Sequence, residues 1–208
     1  MINKDTKIYG SFAETSGNNG CRFFNAAFIK HNLDAIYRSY SVNSIELAVL
    51  SARTLGFSGF AISMPFKIDI LNYVDDISEE VYQIGSSNTV VNLNGRLIAY
   101  NTDYHAGLQL LENLKKEIYI LGSGGLSKAI QASAKKLSLP YQIITRDNWD
   151  LIETLTEENI INCTPIDVCS IHKSNNFLDL RVATPQGTLF SRNQALHQFF
   201  LYTGILYA

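Results

Sequence analysis

The chain has 208 residues, 46% of them hydrophobic, enough to bury a core in one large domain or two small ones; a disordered chain is excluded. Its 17 Lys and Arg against 19 Asp and Glu leave a net charge of −2 with no basic run, so the electrostatic footprint of a nucleic-acid or anionic-membrane binder is missing. Cys21, Cys163 and Cys169 form no C-x-x-C spacing, none stands at ligand spacing to a histidine, and the start MINKDTKIYG carries no apolar leader. The expectation is a soluble, reduced, cytoplasmic protein with buried thiols and no metal site.

In chain order, short β-branched or aromatic runs alternate with helical stretches: KIYGSF, a helix over 22–31, IYRSYSV, a helix over 43–55, FSGFAIS, and a helical piece over 78–84. That order predicts an α/β domain with a largely parallel sheet. NTVVNLNGRLIAYNTD reads as a hairpin, because Asn94-Gly95 accepts the positive φ of a tight turn. YHAGLQLLENLKK predicts a helix with Asp103 near its N-terminus. EIYIL opens a second unit as a buried strand, followed by GSGG, a helix over 125–137, the strand YQIITR, a short helix over 149–156 and the strand NIINCT. This is half the strand count of a full dinucleotide-binding sheet. The stretch 166–187 reads as polar and irregular. A last helix over 188–202 carries Leu189, Phe190, Leu196, Phe199 and Phe200 as a single packing face.

The glycine turn is the first candidate for chemistry. Gly122, Gly124 and Gly125, with Ser123 between, stand between a strand and a helix, where bare backbone lets a pyrophosphate approach the helix N-terminus; a plain tight turn is the alternative. About twenty residues on, Thr145, Arg146 and Asp147 close a strand where such folds read the adenosine ribose. Arg146 suits a 2′-phosphate and favours NADP, whereas Asp147 would accept the 2′-hydroxyl of NAD. The second candidate is SMPFK, Ser63 to Lys67, directly after an apolar strand. Asn88-Thr89 opens one hairpin strand and Asn101-Thr102-Asp103 closes the other, so two amides and a carboxylate are expected near one end of the sheet. His31, His105, His172 and His197 read as surface residues, and Trp149, Tyr202 and Tyr207 as core or interface aromatics.

Together these segments resemble the shikimate dehydrogenase family, most closely its shikimate dehydrogenase-like branch. The resemblance rests on SMPFK, GSSNTVV with its NG hairpin, AYNTDY, GSGGLSKA, Arg146, INCTP and NQALHQFFLYTG, in family order. It implies an α/β fold with an N-terminal substrate and catalytic domain (1–103), a truncated Rossmann-like NADP-binding domain (104–187) and a C-terminal helix (188–208) returning to the first domain. It implies an NADP-dependent oxidoreductase acting on a polyol carboxylate of the shikimate, quinate or aminoshikimate type, as a monomer or homodimer. Lys67 and Asp103 would be the catalytic pair, and Ser63, Asn88, Asn101 and Gln194 would hold substrate. Gly122, Ser123, Gly124, Gly125, Thr145, Arg146 and Thr164 would line the cofactor. Two departures stand out. The serine pair expected to grip the substrate carboxylate has no clean equivalent, with Ser11, Ser16 or Asn18 as substitutes, and 167–187 replaces a longer family segment. A paralogue that binds nucleotide or a shikimate-like ligand without catalysis is the alternative.

Overall fold

The computed structural model describes residues 2–207. It divides into two compact units, one built from the chain up to Thr102 and from Ala195 onward, the other from Asp103–Gln194. The first contains β1 (Lys7–Ala13), α1 (Asn19–Lys30), β2 (Ala35–Ser41), α2 (Ile45–Thr54), β3 (Gly59–Ile62), β4 (Asp76–Ile77), α3 (Glu79–Ile84), β5 (Thr89–Leu93) and β6 (Arg96–Tyr100). The second draws on α4 (Thr102–Leu111), β7 (Ile118–Leu121), α5 (Gly125–Lys136), β8 (Tyr141–Ile144), β9 (Asn159–Asn162) and β10 (Asn176–Asp179). A final helix, α6 (Pro185–Thr203), contributes to both units.

The first sheet has the order β2-β1-β3-β5-β6-β4. Strands β1, β2 and β3 are parallel, and β5 runs antiparallel to both β3 and β6. Asn94 and Gly95 take φ of 53° and 91°, the paired positive angles a two-residue hairpin turn requires. Both faces of this sheet are covered. Phe12, Phe60, Ile62, Val90 and Leu97 pack with Ile45, Val49 and Ala52 of α2, while Tyr9, Tyr37 and Val91 pack with Phe24 and Phe28 of α1 and Phe199 and Tyr202 of α6. Val90 and Val91, adjacent in one strand, thus serve opposite cores, as the two-residue repeat of a strand dictates. The very short β4, parallel to β6, leaves no periodic signal and was not expected.

The second sheet has the order β10-β9-β7-β8, all parallel. Its fourth strand corrects the expectation that 166–187 is irregular. Only Phe177 and Leu178 are apolar in β10, and its first polar residue is paired: Asn176 donates to the Asn159 carbonyl oxygen Oδ1 at 2.9 Å. Arg146–Thr154 forms 3-10 turns kinked at Asn148, where a short helix over 149–156 was expected.

The last helix begins at Pro185 rather than 188, and its single-face reading is wrong. Phe190 enters the core of the second unit, whereas Ala195, Phe199 and Tyr202 enter that of the first. Leu189 and Phe200 are exposed. The buried positions 195, 198, 199 and 202 follow the helical repeat, with Gln198 among them. Two smaller expectations also change. The His31 ring packs against Phe199 and Tyr207 with its Nε2 buried, and none of the three thiols is fully buried: Cys21 and Cys163 are half-buried and Cys169 is exposed.

Because Phe199 is 0% exposed and Leu189 is 60% exposed, Phe199→Ala is expected to lower unfolding free energy by about 3–5 kcal/mol. Leu189→Ala should stay within about 0.5 kcal/mol of the parent. Urea unfolding measures both, and equal losses would restore the single-face reading.

Candidate functional site

Strand direction assembles one end of the first sheet. Since β5 is antiparallel to β3 and β6, its first residues meet the last residues of those two strands. Ser63 follows β3, Asn88 precedes β5 and Asn101 follows β6, so all three come to the same edge. Backbone bonds lace that edge together: Ile62 N–H donates to Asn88 O at 2.8 Å, Asn88 N–H to Tyr100 O at 3.3 Å, and Ser87 N–H to Lys67 O at 2.7 Å. The last of these ties the Lys67 turn to the residue just before Asn88. Ser63 is exposed and Lys67 half-buried.

The amides at this edge are buried and engaged. The Asn88 side-chain oxygen accepts from the Thr89 hydroxyl at 2.8 Å and the Thr102 N–H at 2.8 Å, and the Thr102 hydroxyl lies within 3.0–3.1 Å of both ends of the amide. Asn101 Nδ2 donates to Ser86 O at 2.9 Å. Asp103, in the first turn of α4, is buried. Gln194 is half-buried and donates to Ser191 O at 3.1 Å.

Gln198 belongs to this edge and was missed. It is buried, and its amide donates to Asn88 O at 3.1 Å and Thr89 Oγ1 at 2.8 Å. The available signal was a lone glutamine on the 195–198–199–202 face of an otherwise apolar helix segment.

Of the candidates for the missing serine pair, Ser11 and Ser16 are taken up by the chain itself. Ser11 Oγ donates to Ser39 Oγ at 3.0 Å, and Ser16 Oγ donates to Tyr40 O at 2.6 Å. Asn18 is exposed and leaves its role as N-cap of α1 without a side-chain bond. Beside Ser11, burial pushes the Tyr37 hydroxyl well above the ordinary tyrosine range, opposed by its hydrogen bond with Ser11.

In the second unit, the glycine turn leaves the C-terminal end of β7. Gly122 has φ of 101°, which an L side chain rarely adopts, and a Cβ there would meet Thr164 Cγ2 at 2.9 Å. Its carbonyl accepts from Ser127 Oγ at 2.6 Å, which pins the turn to α5. Gly124 is the N-cap of α5 in extended conformation, and a Cβ added there meets nothing within 4 Å. Open space above the first turn of a helix is what an approaching anion requires, so these residues fit a dinucleotide pyrophosphate. Thr145 caps the 3-10 turns after β8, accepting from Asp147 N–H, and Arg146 is exposed.

Thr164 follows β9, the parallel neighbour of β7. Its N–H and hydroxyl both donate to Asn162 Oδ1, at 3.0 and 2.7 Å. Asn162 Nδ2 in turn donates to Asp179 Oδ1 at 3.2 Å. Burial pushes the Asp179 carboxyl up, but the Arg181 guanidinium and N–H, together with Asn162, outweigh it and hold the group below the ordinary carboxylate range. Arg181 reaches Asp179 Oδ2 through two nitrogens at 2.9 and 2.7 Å and Asp167 Oδ1 at 2.7 Å. This network lies in the segment the sequence presented as irregular.

A groove of about 620 Å³ lies elsewhere on the first unit, between α2 and the ends of β1 and β2, with Phe12, Tyr40 and Phe57 among its lining residues and none of the expected catalytic residues. Among the described residues, no His, Cys, Asp and Glu cluster is suited to a metal ion, and no helix is long and apolar enough to cross a membrane.

Comparison with known proteins places these features in context. Residues 19–90 match the shikimate dehydrogenase substrate binding domain. A shikimate dehydrogenase-like protein of Haemophilus influenzae is 41% identical over 139 residues, 65% of this chain and 51% of the relative. The chain thus spans about half the length of that relative. The shikimate dehydrogenase (NADP(+)) of Caldanaerobacter subterraneus subsp. tengcongensis is 31% identical over 193 residues, 87% of this chain and 68% of the relative. The solved structure of a shikimate 5-dehydrogenase-like protein superposes with a TM-score of 0.84 at 30% identity, covering 100% of this chain and 95% of the other. The expected α/β fold, with a Rossmann-like parallel sheet in its second unit, is therefore the one observed.

The two glycines should respond differently to a methyl group. Gly122→Ala is expected to cost about 1–3 kcal/mol, because it combines a positive φ with the Thr164 contact. Gly124→Ala, with negative φ and open space, should leave stability unchanged within about 0.5 kcal/mol. Thermal or urea unfolding of the pair tests the assignment of the turn.

Proposed function

The chain belongs to the shikimate dehydrogenase family, and from that premise we propose that it is an NADP-dependent oxidoreductase interconverting 3-dehydroshikimate and shikimate, or a close analogue such as quinate. The observation that carries this reading is the common edge formed by the Lys67 turn, Asn88 and Asn101, laced by the bond from Ser87 N–H to Lys67 O. Lys67 takes the proton of the substrate hydroxyl during oxidation and returns it during reduction. Asp103 balances the resulting ammonium. Ser63, Asn88, Asn101 and Gln194 hold the substrate's hydroxyls. Ser63 is exposed and Lys67 only half-buried, so these two meet a ligand first.

When bound, NADP supplies the hydride acceptor. Gly122, Ser123, Gly124 and Gly125 would hold its pyrophosphate, Thr145 and Arg146 would hold the adenosine ribose with its 2′-phosphate, and Thr164 would wall the turn. The reading is supported by the space over Gly124 and by the exposure of Arg146. The protein works in the cytoplasm as a monomer or homodimer without nucleic-acid or membrane partners, a setting supported by its net charge of −2 and its free cysteines.

The direct experiment scans shikimate, quinate and related acids against NADP and NAD, following absorbance of the reduced cofactor. Turnover with NADP is the expected result. NADPH binding without turnover at any pH from weakly acidic to alkaline would instead identify a paralogue that binds and does not catalyse. Gly124→Val should abolish NADPH binding while the fold persists, because a branched side chain fills the space kept for the pyrophosphate. Arg146→Ala should weaken NADP far more than NAD, by about 1.5–3 kcal/mol for a lost charge-assisted bond, and equal losses would remove the 2′-phosphate assignment.

Lys67→Ala should lower kcat by about 10²-fold to 10⁴-fold with much less change in substrate binding. Asp103→Asn should also damage turnover, and the double variant should fall little below the worse single one if the two act as a unit. Near-parent kinetics for both would assign them to the surface, and strictly additive losses would deny that they work as a pair.

A further inference from the structure

The Arg181 network uses more hydrogen-bonding capacity than a strand end needs. Asp179, only 6% exposed, is an acceptor with no proton to give, so the neighbouring Asn162 must turn its NH₂ toward it. That leaves Asn162 Oδ1 facing the other way, where it receives both the N–H and the hydroxyl of Thr164. With its proton committed to Asn162, the Thr164 hydroxyl accepts from Ile166 N–H at 3.2 Å, and Asn162 Nδ2 also holds Ile166 O at 3.0 Å. The rotamer this imposes sets Thr164 Cγ2 in the space beside Gly122. Each link has a fixed polarity, and the polarity originates at Asp179.

Arg181 decides whether that origin survives. Its side-chain nitrogens cover Asp179 Oδ2, its own N–H donates to Asp179 Oδ1 at 3.1 Å, and the same guanidinium reaches Asp167. The backbone around it is held from the other side by Thr184, whose hydroxyl bonds Asp179 O and Arg181 O, and by Gly187, where any Cβ would run into the Arg181 carbonyl. Arg181 is therefore fixed from both sides and ends a chain of contacts that runs through Asp179, Asn162 and Thr164 to the glycine turn.

We propose that Arg181 is a positioning residue for the dinucleotide, holding Thr164 against the Gly122 turn through Asp179 and Asn162 so that the pyrophosphate end of the site keeps its shape. The inference rests on the NADP-binding reading above. It separates from a 2′-phosphate contact because Arg181 acts at the pyrophosphate turn, which NADPH and NADH share.

The test compares the parent with Arg181→Leu and Arg181→Lys. NADPH and NADH affinities are measured by fluorescence, shikimate KM at saturating NADP, unfolding temperature by circular dichroism, and exchange of the Thr164 amide by NMR. In Arg181→Leu the Thr164 amide should exchange faster, and the dissociation constants for NADPH and NADH should both rise in the same ratio, by about tenfold. Shikimate KM should stay put, and lysine, which can pair but not fork, should fall between. If the leucine variant does not fold, the lysine variant carries the same comparison, with a rise in both constants expected. Unchanged affinities in a variant whose parent binds NADPH, or a loss confined to NADPH, would overturn the inference and leave the function reading intact. A parent that binds neither nucleotide would overturn both.

Discussion

The amide of Asn88 holds together one end of the first unit's sheet, where β3, β5 and β6 meet. It is 2% exposed, and leaving one of its polar atoms without a partner there would cost about 1–3 kcal/mol. It is partnered by Thr89 and Thr102, one residue at the start of β5 and one just past β6, so the start of one strand and the exit of the other cannot move independently. The backbone of Asn88 is enlisted as well. Its carbonyl accepts from Ile62 N–H at the end of β3 and from Gln198 of α6. Four segments distant in sequence therefore converge on one residue, and the Lys67 turn joins them through Ser87.

The second unit solves a parallel problem with charge. Asn162 occupies the end of a central strand as Asn88 occupies the edge of the first sheet, and each amide orients a threonine hydroxyl beside a turn. The difference lies in what orients the amide. Asn88 is bracketed by hydroxyl and backbone groups, which can adjust, whereas Asn162 faces a carboxylate, which cannot donate. A buried carboxylate needs a cation, and Arg181 supplies it from two residues away, so the short segment between β9 and α6 carries both the constraint and its counter-charge.

Much of the fold was readable from local chemistry. The NG hairpin, the order of strands and helices and the glycine turn after β7 all rest on strong local preferences, namely positive φ, apolar runs and bare backbone. What escaped shares a different character. Strand β10 offers two apolar residues between Asn176 and Asp179, and its stability comes from pairing with β9 and from partners at positions 159 and 181 that no window of sequence brings together. The face of α6 was misread because hydrophobicity was counted without period: Leu189 and Phe200 are apolar but exposed, while Gln198 is polar but buried because Asn88 and Thr89 wait for it. His31 likewise reads as surface until Phe199 and Tyr207 arrive from the far end of the chain. Residue roles at the site were legible only as types at expected places, since which amide atoms are engaged depends on neighbours up to 110 positions away.

The short segment after β9 shows how a compact connection can still order the end of a parallel sheet. Few of its side chains are buried apolar ones, Val168 and Leu180 among them, so hydrophobic burial alone supplies little to order about twenty residues. A fork of charge-assisted bonds on Asp179 adds order next to Asn162 and Thr164. The close approach of Gly187 to the Arg181 carbonyl then lets α6 start at once, with Thr184 bonding back to the strand end. Phe190, one turn further on, is already in the core of the second unit. A longer connection could have ordered itself by burying more apolar surface; this one concentrates its order in a few polar groups whose directions are fixed, and those directions lead through Asn162 and Thr164 to the Gly122 turn.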